Sequence, residues 1–246
     1  HLNELQILNY KEGKFLMAGV VTDLNSSTRK HDISNRVATL FYNTQNEECN
    51  LNITPFTSEE IHTLSNEPMS KKLKNDNCDA VCITSATRTN DGAAFVLQRK
   101  YCVSVRNSNG MVTNTFYCIG TVVLTTNWNG QIVNHVTIPR NVAAVDYNYL
   151  LNSILFTHGD DLYYLVKESD KTPATYDKSI TSVKPMGIGK AEKLVLYHIA
   201  ADGNVTKQVH DQNAKPVLMQ EFVPIQNGYL GIEALRASHS FFKITF

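Results

Sequence analysis

Residues 121–138 read TVVLTTNWNGQIVNHVTI, two runs of β-branched and apolar residues separated by a short polar segment that ends in Asn129-Gly130. Runs of Val, Ile and Thr that flank an Asn-Gly dipeptide are typical of a β-hairpin. Glycine suits the turn because it adopts a positive φ with less strain than other residues. The stretch therefore predicts two antiparallel strands joined by a tight turn.

The same pattern occurs twice more along the chain. Residues 101–114 place Gly110 before MVTN, and residues 194–209 place Gly203 before NVTK. In each copy an apolar strand leads to a turn glycine, and the next strand begins with one spacer and an apolar residue. Repetition of one hairpin along a sequence indicates an architecture built from similar units.

The predicted strands group into four successive antiparallel sets. They are 4–9, 15–22, 37–43 and 49–54; then 80–86, 93–106, 121–126 and 132–138, with 111–118 as an added strand; then 149–156, 162–166, 194–199 and 205–209; and last 217–224, 229–235 and 241–246. We expect a single all-β domain over residues 1–246, with antiparallel four-stranded sheets in a β-propeller-like arrangement. A two-sheet β-sandwich is the alternative, because strand patterns alone do not separate the two.

The fourth set lacks its last strand. Either residues 4–9 supply that strand and close a small ring, or the chain is part of a larger propeller. Helical periodicity is almost absent, except that Ser58-Glu59-Glu60-Ile61 favours the start of a short helix. Pro68 interrupts any longer helix, so we interpret residues 58–74 as a surface excursion. Residues 167–190, which hold two prolines and two glycines, predict an exposed loop.

Charge and hydropathy exclude two classes of partner. The chain has 23 Lys and Arg against 23 Asp and Glu, and no basic run. Phosphate neutralisation supplies most of the affinity of nucleic-acid binders, so we expect no nucleic-acid partner. Residues 107–139 carry no charge, but their longest apolar core, 116–124, is far shorter than the roughly 20 residues of a spanning helix. We therefore expect no transmembrane segment.

Five cysteines are too few for a disulfide scaffold, and their odd number leaves at least one unpaired within the chain. Cys78 and Cys82 have no further metal ligands near them in sequence, so we interpret them as plain buried thiols. Cys102 and Cys118 lie on either side of the turn at Gly110. They are either free or joined across the hairpin.

A family resemblance begins where the second hairpin ends in Ile138-Pro139-Arg140. A strand, an Asp-Gly or Asn-Gly turn and a strand ending in I-P-K or I-P-R resemble a segment of uncharacterised secreted β-propeller-like proteins of Bacteroides-type bacteria. The resemblance continues through SILF (153–156), DLYYL (161–165) and LVLYHI (194–199), and so covers about half the chain, from residue 119 onward. Those proteins often have Trp shortly after the turn glycine, where this chain has Asn134. The resemblance implies a bacterial protein that is secreted, periplasmic or at the cell surface, and it carries over no catalytic residue.

Four residues are the candidates for binding a glycan or peptide ligand. Trp128 lies in a predicted turn, where an aromatic ring is less buried than on a strand. Tyr147 and Tyr149 lie close in sequence to Arg140 and form a second aromatic and polar group. The alternative for all four is packing between neighbouring sheets.

Motifs for a metal or a cofactor are absent. No H-E-x-x-H sequence occurs, and Gly187-Ile188-Gly189-Lys190 lacks the full spacing of a phosphate loop. Asp160 and Asp161 supply too few oxygens for calcium, which prefers six to eight, so they predict a turn. We therefore expect no cofactor and no metal.

The sequence leaves three hypotheses for the function. The first is a non-catalytic extracytoplasmic binding or scaffold protein. The second is a polysaccharide hydrolase or lyase with its site in the propeller funnel, which would bring Asp146, Asp160, Asp161 or Glu233 together with another acid, an Arg or a His. The third is a subunit of a surface assembly, which would show a large apolar patch or an unpaired edge at the last sheet.

Overall fold

The structure is a computed structural model that describes residues 2–11, 13–23, 33–73, 78–145, 153–185, 192–211, 217–225, 228–234 and 239–245. In this part of the chain the residues form antiparallel strands and one short helix, which confirms the all-β prediction. Among the described residues no helix has the length and apolar character needed to cross a membrane.

The strands form four sheets, and each sheet is a meander whose main strands follow one another in chain order. The first sheet contains β1 (Leu2–Lys11), β2 (Lys14–Asp23), β3 (Ile33–Asn43) and β4 (Glu48–Pro55), and the short β5 (Cys78–Asp79) pairs with β3. The second contains β6 (Val81–Arg88), β7 (Gly92–Arg106), β8 (Val112–Asn127) and β9 (Ile132–Val145). The third contains β10 (Ile154–His158), β11 (Asp161–Ser169), β12 (Glu192–Ile199) and β13 (Val205–Asp211), and the fourth contains β14 (Val217–Ile225), β15 (Gly228–Ala234) and β16 (His239–Thr245).

One detail of the predicted strand sets is wrong, and one of the two alternatives for the fourth set is excluded. The added strand at 111–118 is continuous with 121–126, and together they form β8. Gly120, which has a φ of +60°, lies at a bulge between Ile119 and Thr121 in the pairing with β9, and the strand continues beyond it. β1 pairs with β2 in the first sheet, so residues 4–9 do not supply the missing strand of the fourth sheet.

The sheets stack face to face in chain order. Side chains of the first and second sheets share one apolar core, and the opposite face of the second sheet shares another core with the third. Phe95 and Leu97 point into the first of these cores and Val96 points into the second, and all three are fully buried. A two-sheet sandwich does not fit, because each of its sheets has only one buried face. A smaller core joins the third sheet to Ile244 of the fourth.

Helix α1 (Ser58–Ser65) is packed into the core between the first and second sheets. It begins with a capping box, in which the Glu60 amide donates to Thr57 Oγ1 at 3.2 Å and the Thr57 amide donates to Glu60 Oε2 at 2.5 Å. Ile61 and Leu64 are buried in the core. The interpretation of this segment as a surface excursion is therefore wrong, because two apolar side chains on two turns are enough to anchor a helix of this length.

The long connection after β11 packs along the molecule and contacts β9 and the end of α1. Residues 167–169 belong to β11 and are buried, so the predicted loop begins later than expected. Residues 170–185, called the strap below, run from the third sheet to α1. Tyr176 donates its hydroxyl proton to the Thr137 carbonyl at 3.2 Å, and Asn66, just after α1, exchanges hydrogen bonds of 3.1 and 2.8 Å with the Val183 backbone. The strap thus ties three elements together.

The cysteines form no disulfide among the described residues. Cys102 pairs with Phe116 in the β7–β8 ladder and Cys118 pairs with Lys100, so the two cysteines are two positions out of register. Both are free, with Cys102 exposed and Cys118 buried, and the cross-hairpin disulfide is wrong. The half-buried Cys82 thiol donates to the Gln98 carbonyl at 3.4 Å, while the Cys78 side chain lies outside the described residues.

Candidate functional site

A pocket of about 420 Å³ lies between the second and third sheets. It lies at the β6–β7, β10–β11 and β12–β13 connections, and strand ends of both sheets, including the end of β8 and the start of β9, contribute to it. It is lined by Thr89, Asn90, Asp91, Thr125, Thr126, Asn127, Val133, Asn134, Asp160, Leu162, Ile199, Ala200 and Ala201. No segment of consecutive residues builds this pocket, so only the stacking of two sheets creates it.

The pocket has a polar rim and an apolar floor. Asn90, Asp91 and Asp160 are exposed at the rim and offer amide donors and carboxylate acceptors. Leu162 and Ile199 are buried and form the apolar part of the lining. Such a combination fixes the orientation of a small polar ligand by hydrogen bonds while shielding one side of it from water.

One hydrogen bond joins the two sides of the rim. The Asn90 side-chain amide in the β6–β7 connection donates to Asp160 Oδ1 in the β10–β11 connection. These two residues come from connections of different sheets, so the bond links the second and third sheets across the rim. It also leaves the second carboxylate oxygen of Asp160 available to a ligand.

Trp128 is placed behind the pocket. Its half-buried ring packs against the core between the first and second sheets, and its indole Nε1 donates to the Asn90 carbonyl at 3.2 Å. The indole therefore positions the connection that carries Asn90 and Asp91. Its link to the pocket runs through the Asn90 backbone.

Two of the glycine turns lie against the preceding sheet, each beside an asparagine side chain. A methyl group added to Gly203 in the β12–β13 turn would lie 2.9 Å from Nδ2 of Asn134 on β9. One sheet earlier, Asn52 on β4 donates to the Asn129 carbonyl at 3.2 Å, next to Gly130 in the β8–β9 turn. An asparagine on the last strand of one sheet thus meets the glycine turn of the next, twice in succession.

Arg140 lies near the opposite end of β9, about 20 Å along the strand from Asn134. It is 1% exposed, and its Nη1 donates to Cys118 Sγ at 3.3 Å, while Nε and Nη2 have no hydrogen-bond partner among the described residues. Burial acts to lower the pKa of Arg140, but Cys118, Tyr164 and Glu168 outweigh it and the pKa is raised. The structure therefore does not bring Arg140 together with Trp128.

Two of the predicted binding residues, Tyr147 and Tyr149, lie outside the described residues, as does Asp146.

A buried ionic cluster that the sequence analysis missed holds the strap on the third sheet. Glu168, 1% exposed, accepts hydrogen bonds from Lys207 Nζ at 2.7 Å, from Thr172 Oγ1 at 2.5 Å and from the Tyr197 hydroxyl. Lys193 Nζ donates to the Thr172 carbonyl at 2.5 Å. The sequence holds one signal for this cluster. Residues 162, 164, 166 and 168 share one face of β11, and Glu168 is a charged residue on a face that is otherwise apolar.

Asp161 pairs with a histidine on the other face of the third sheet. Its Oδ2 is 2.7 Å from His198 Nε2, and its Oδ1 accepts from the Ala201 amide at 3.0 Å. The hydrogen bond from His198 is the main cause of a lowered Asp161 pKa. Asp161 and Asp160 are neighbours in sequence, but only Asp160 lines the pocket. The side chain of Glu233 lies outside the described residues.

No group of three or more His, Cys, Asp or Glu side chains within the described ranges is arranged to hold a metal ion. Comparisons with protein-family models, with curated proteins and with solved structures find no match for this chain.

Proposed function

We propose that this chain is an extracytoplasmic binding protein whose pocket between the second and third sheets takes a small glycan. The observation that carries the proposal is the rim of amide and carboxylate groups above an apolar floor. Sugar hydroxyls donate to carboxylates and accept from amides, and the C–H face of a sugar ring packs on aliphatic side chains. The volume of about 420 Å³ lies within the usual range for small-ligand pockets.

The proposal includes a propeller-like arrangement of the sheets. Three sheets are four-stranded meanders, apart from the short β5, and successive sheets stack through their faces. The first strands of the first three sheets lie side by side, β1 next to β6 and β6 next to β10. The repeated contact between an asparagine and a glycine turn adds a second regular feature. In a propeller, sheets repeat radially in this manner around a central axis.

Binding is tested with a glycan array followed by titration calorimetry on the best ligand. Asp91→Asn and Asn134→Ala each remove a group at the pocket, and we expect each to weaken binding by about tenfold, the equivalent of one lost hydrogen bond. Asp177→Asn, an exposed position that does not line the pocket, is the matched control. Equal affinity in all four proteins would contradict the proposed site.

A glycan-cleaving enzyme is the second candidate, because Asp91 and Asp160 come from different sheets and line the same pocket. Glycosidases use two carboxyl groups about 5 to 10 Å apart. Release of reducing ends from a bound glycan, abolished in both Asp91→Asn and Asp160→Asn, would establish that function. Binding without release supports the non-catalytic protein.

The extracytoplasmic location is proposed from the resemblance of residues 122–140, which span the β8–β9 hairpin. Cys49 and Cys102 are exposed thiols and provide a direct test. A membrane-impermeant maleimide should label the protein in intact source cells or after removal of the outer membrane alone. Labelling that requires removal of the outer membrane would place the protein in the periplasm. Labelling only after lysis would place it in the cytoplasm and contradict the proposed location.

A further inference from the structure

The β7–β8 hairpin extends beyond β6 as an arm, which consists of residues 101–106 of β7 and 112–117 of β8. On its other edge, β9 pairs with residues 115–117 of β8 and stops there. All of residues 102–106 are exposed. Val105 is 59% exposed and Val112 is 51% exposed, unusual values for β-branched apolar side chains on paired strands. The arm therefore presents apolar surface without a cover among the described residues.

The outer edge of β7 in this arm has no described neighbour. β6 pairs with β7 only as far as Arg99, and the last bond joins the Lys100 amide to the Ala80 carbonyl at 3.0 Å. At the tip, the Asn107 amide donates to the Met111 carbonyl. Since bonding alternates along an antiparallel strand, Val103 and Val105 bond to β8. The main-chain groups of Cys102, Ser104 and Arg106 consequently point away from β8.

We propose that two copies of this chain associate by antiparallel pairing of this edge, with the two-fold axis at Ser104. The outward-pointing residues are symmetric about that position, so Ser104 faces its own copy and Cys102 faces Arg106 on both sides. Each of these facing pairs exchanges two main-chain hydrogen bonds. Between them, Val103 lies opposite Val105 of the second copy, and β-branched pairs of this kind stabilise a sheet.

Charge permits a second copy as the occupant and disfavours the register centred on Val103. Arg106 is the only charged residue in the arm, and the proposed register sets it opposite Cys102. Centring the pair on Val103 instead would place Arg106 against Lys100, two like charges. The chain has a formal net charge of zero, so long-range repulsion between copies is weak. Edge strands that must stay unpaired usually carry Lys, Pro or a bulge, and residues 101–105 have none of these.

The association is tested by sedimentation equilibrium on the full chain. Ser104→Pro removes the central outward donor, and the arm keeps its own ladder because that amide does not bond to β8. Ser104→Ala, which keeps the amide, is the matched control. We expect dimers of the wild type and of Ser104→Ala, and monomers of Ser104→Pro. A wild-type dissociation constant above roughly 1 mM, or an unchanged dimer in Ser104→Pro, would overturn the proposal.

Disulfide trapping tests the register independently of the proline variant. In a background of Cys49→Ser and Cys102→Ser, Ser104→Cys places two thiols on residues whose Cα atoms are about 5.5 Å apart. That separation is within disulfide reach. Val103→Cys in the same background sets its Cα atoms about 8 Å apart. We expect a covalent dimer from Ser104→Cys and little from Val103→Cys, and the reverse order would overturn the register.

Discussion

Replacing Gly120 with alanine tests the close packing of helix α1 on the second sheet. Gly120 lies in β8 with a φ of +60°, directly beneath the helix. A methyl group added there would lie 2.3 Å from the Thr63 carbonyl oxygen and 2.7 Å from Leu64 Cα. Both are backbone atoms, so the clash cannot be relieved by turning a side chain, and the helix itself must move.

The expected loss of stability has two parts. A left-handed conformation costs an alanine about 1–2 kcal/mol. Overpacking against backbone costs typically about 1–3 kcal/mol more. The free energy of unfolding should therefore fall by about 2–5 kcal/mol.

Gly159→Ala separates the two parts. Gly159 has a φ of +61°, almost equal to that of Gly120, and an added methyl group there meets nothing within 4 Å. It should lose only the conformational part, about 1–2 kcal/mol. Urea unfolding followed by the fluorescence of the single tryptophan, Trp128, reports on the core that holds α1. The close packing of α1 on Gly120 would be refuted if the two variants lost the same free energy of unfolding within about 0.5 kcal/mol, at unchanged m-values.

Three further outcomes follow from the ion pairs and the strap. Glu168→Ala should lower the free energy of unfolding by about 3–5 kcal/mol, because it leaves the buried Lys207 without its counter-charge. Glu67→Ala breaks an exposed ion pair of the same 2.7 Å length and should cost under about 1 kcal/mol. Equal losses of the two variants in urea unfolding would contradict the importance of burial for the Glu168 pair. Asn66→Ala removes both hydrogen bonds to the strap and should speed its cleavage in limited proteolysis, with unchanged cleavage contradicting the tie. Burial, followed by the charge of Glu59, raises the pKa of Tyr176 to about 12 from 10.0. The unfolded chain therefore releases this proton at a lower pH than the folded protein, and stability falls as the pH rises from 10 to 12. Tyr176→Phe should show a smaller decrease in melting temperature between pH 9 and pH 11.5 than the wild type, and an equal decrease would contradict the raised pKa.

The strand sets were predictable because their signals are local. Alternating apolar residues and turn glycines depend only on near neighbours, and the hairpins around Gly130 and Gly203 occur where the sequence indicates. The predicted gap between the strands 111–118 and 121–126 falls at Gly120, where the structure has a bulge in one continuous strand. A glycine inside a strand is compatible with a break or a bulge, and the residues next to it in sequence do not distinguish the two.

The pocket was not predictable from the sequence. Asp91 and Asp160 are unremarkable turn residues in their own segments, and they line one pocket only because the second and third sheets stack. Trp128 was correctly singled out as the aromatic residue of a turn, but its neighbours in the first sheet are distant in sequence. The binding roles given to Trp128 and Arg140 remain predictions, and those given to Tyr147 and Tyr149 concern residues outside the described part of the chain.

The second sheet is buried on both faces and contributes side chains to two separate hydrophobic cores. A fragment without the first sheet would present Phe95 and Leu124 to water, and a fragment without the third would present Val96 and Val123. Either cut exposes a large apolar sheet face, so we expect the smallest soluble piece that contains the pocket to contain the first, second and third sheets. Attempts to express the pocket as an isolated module must begin from that minimum.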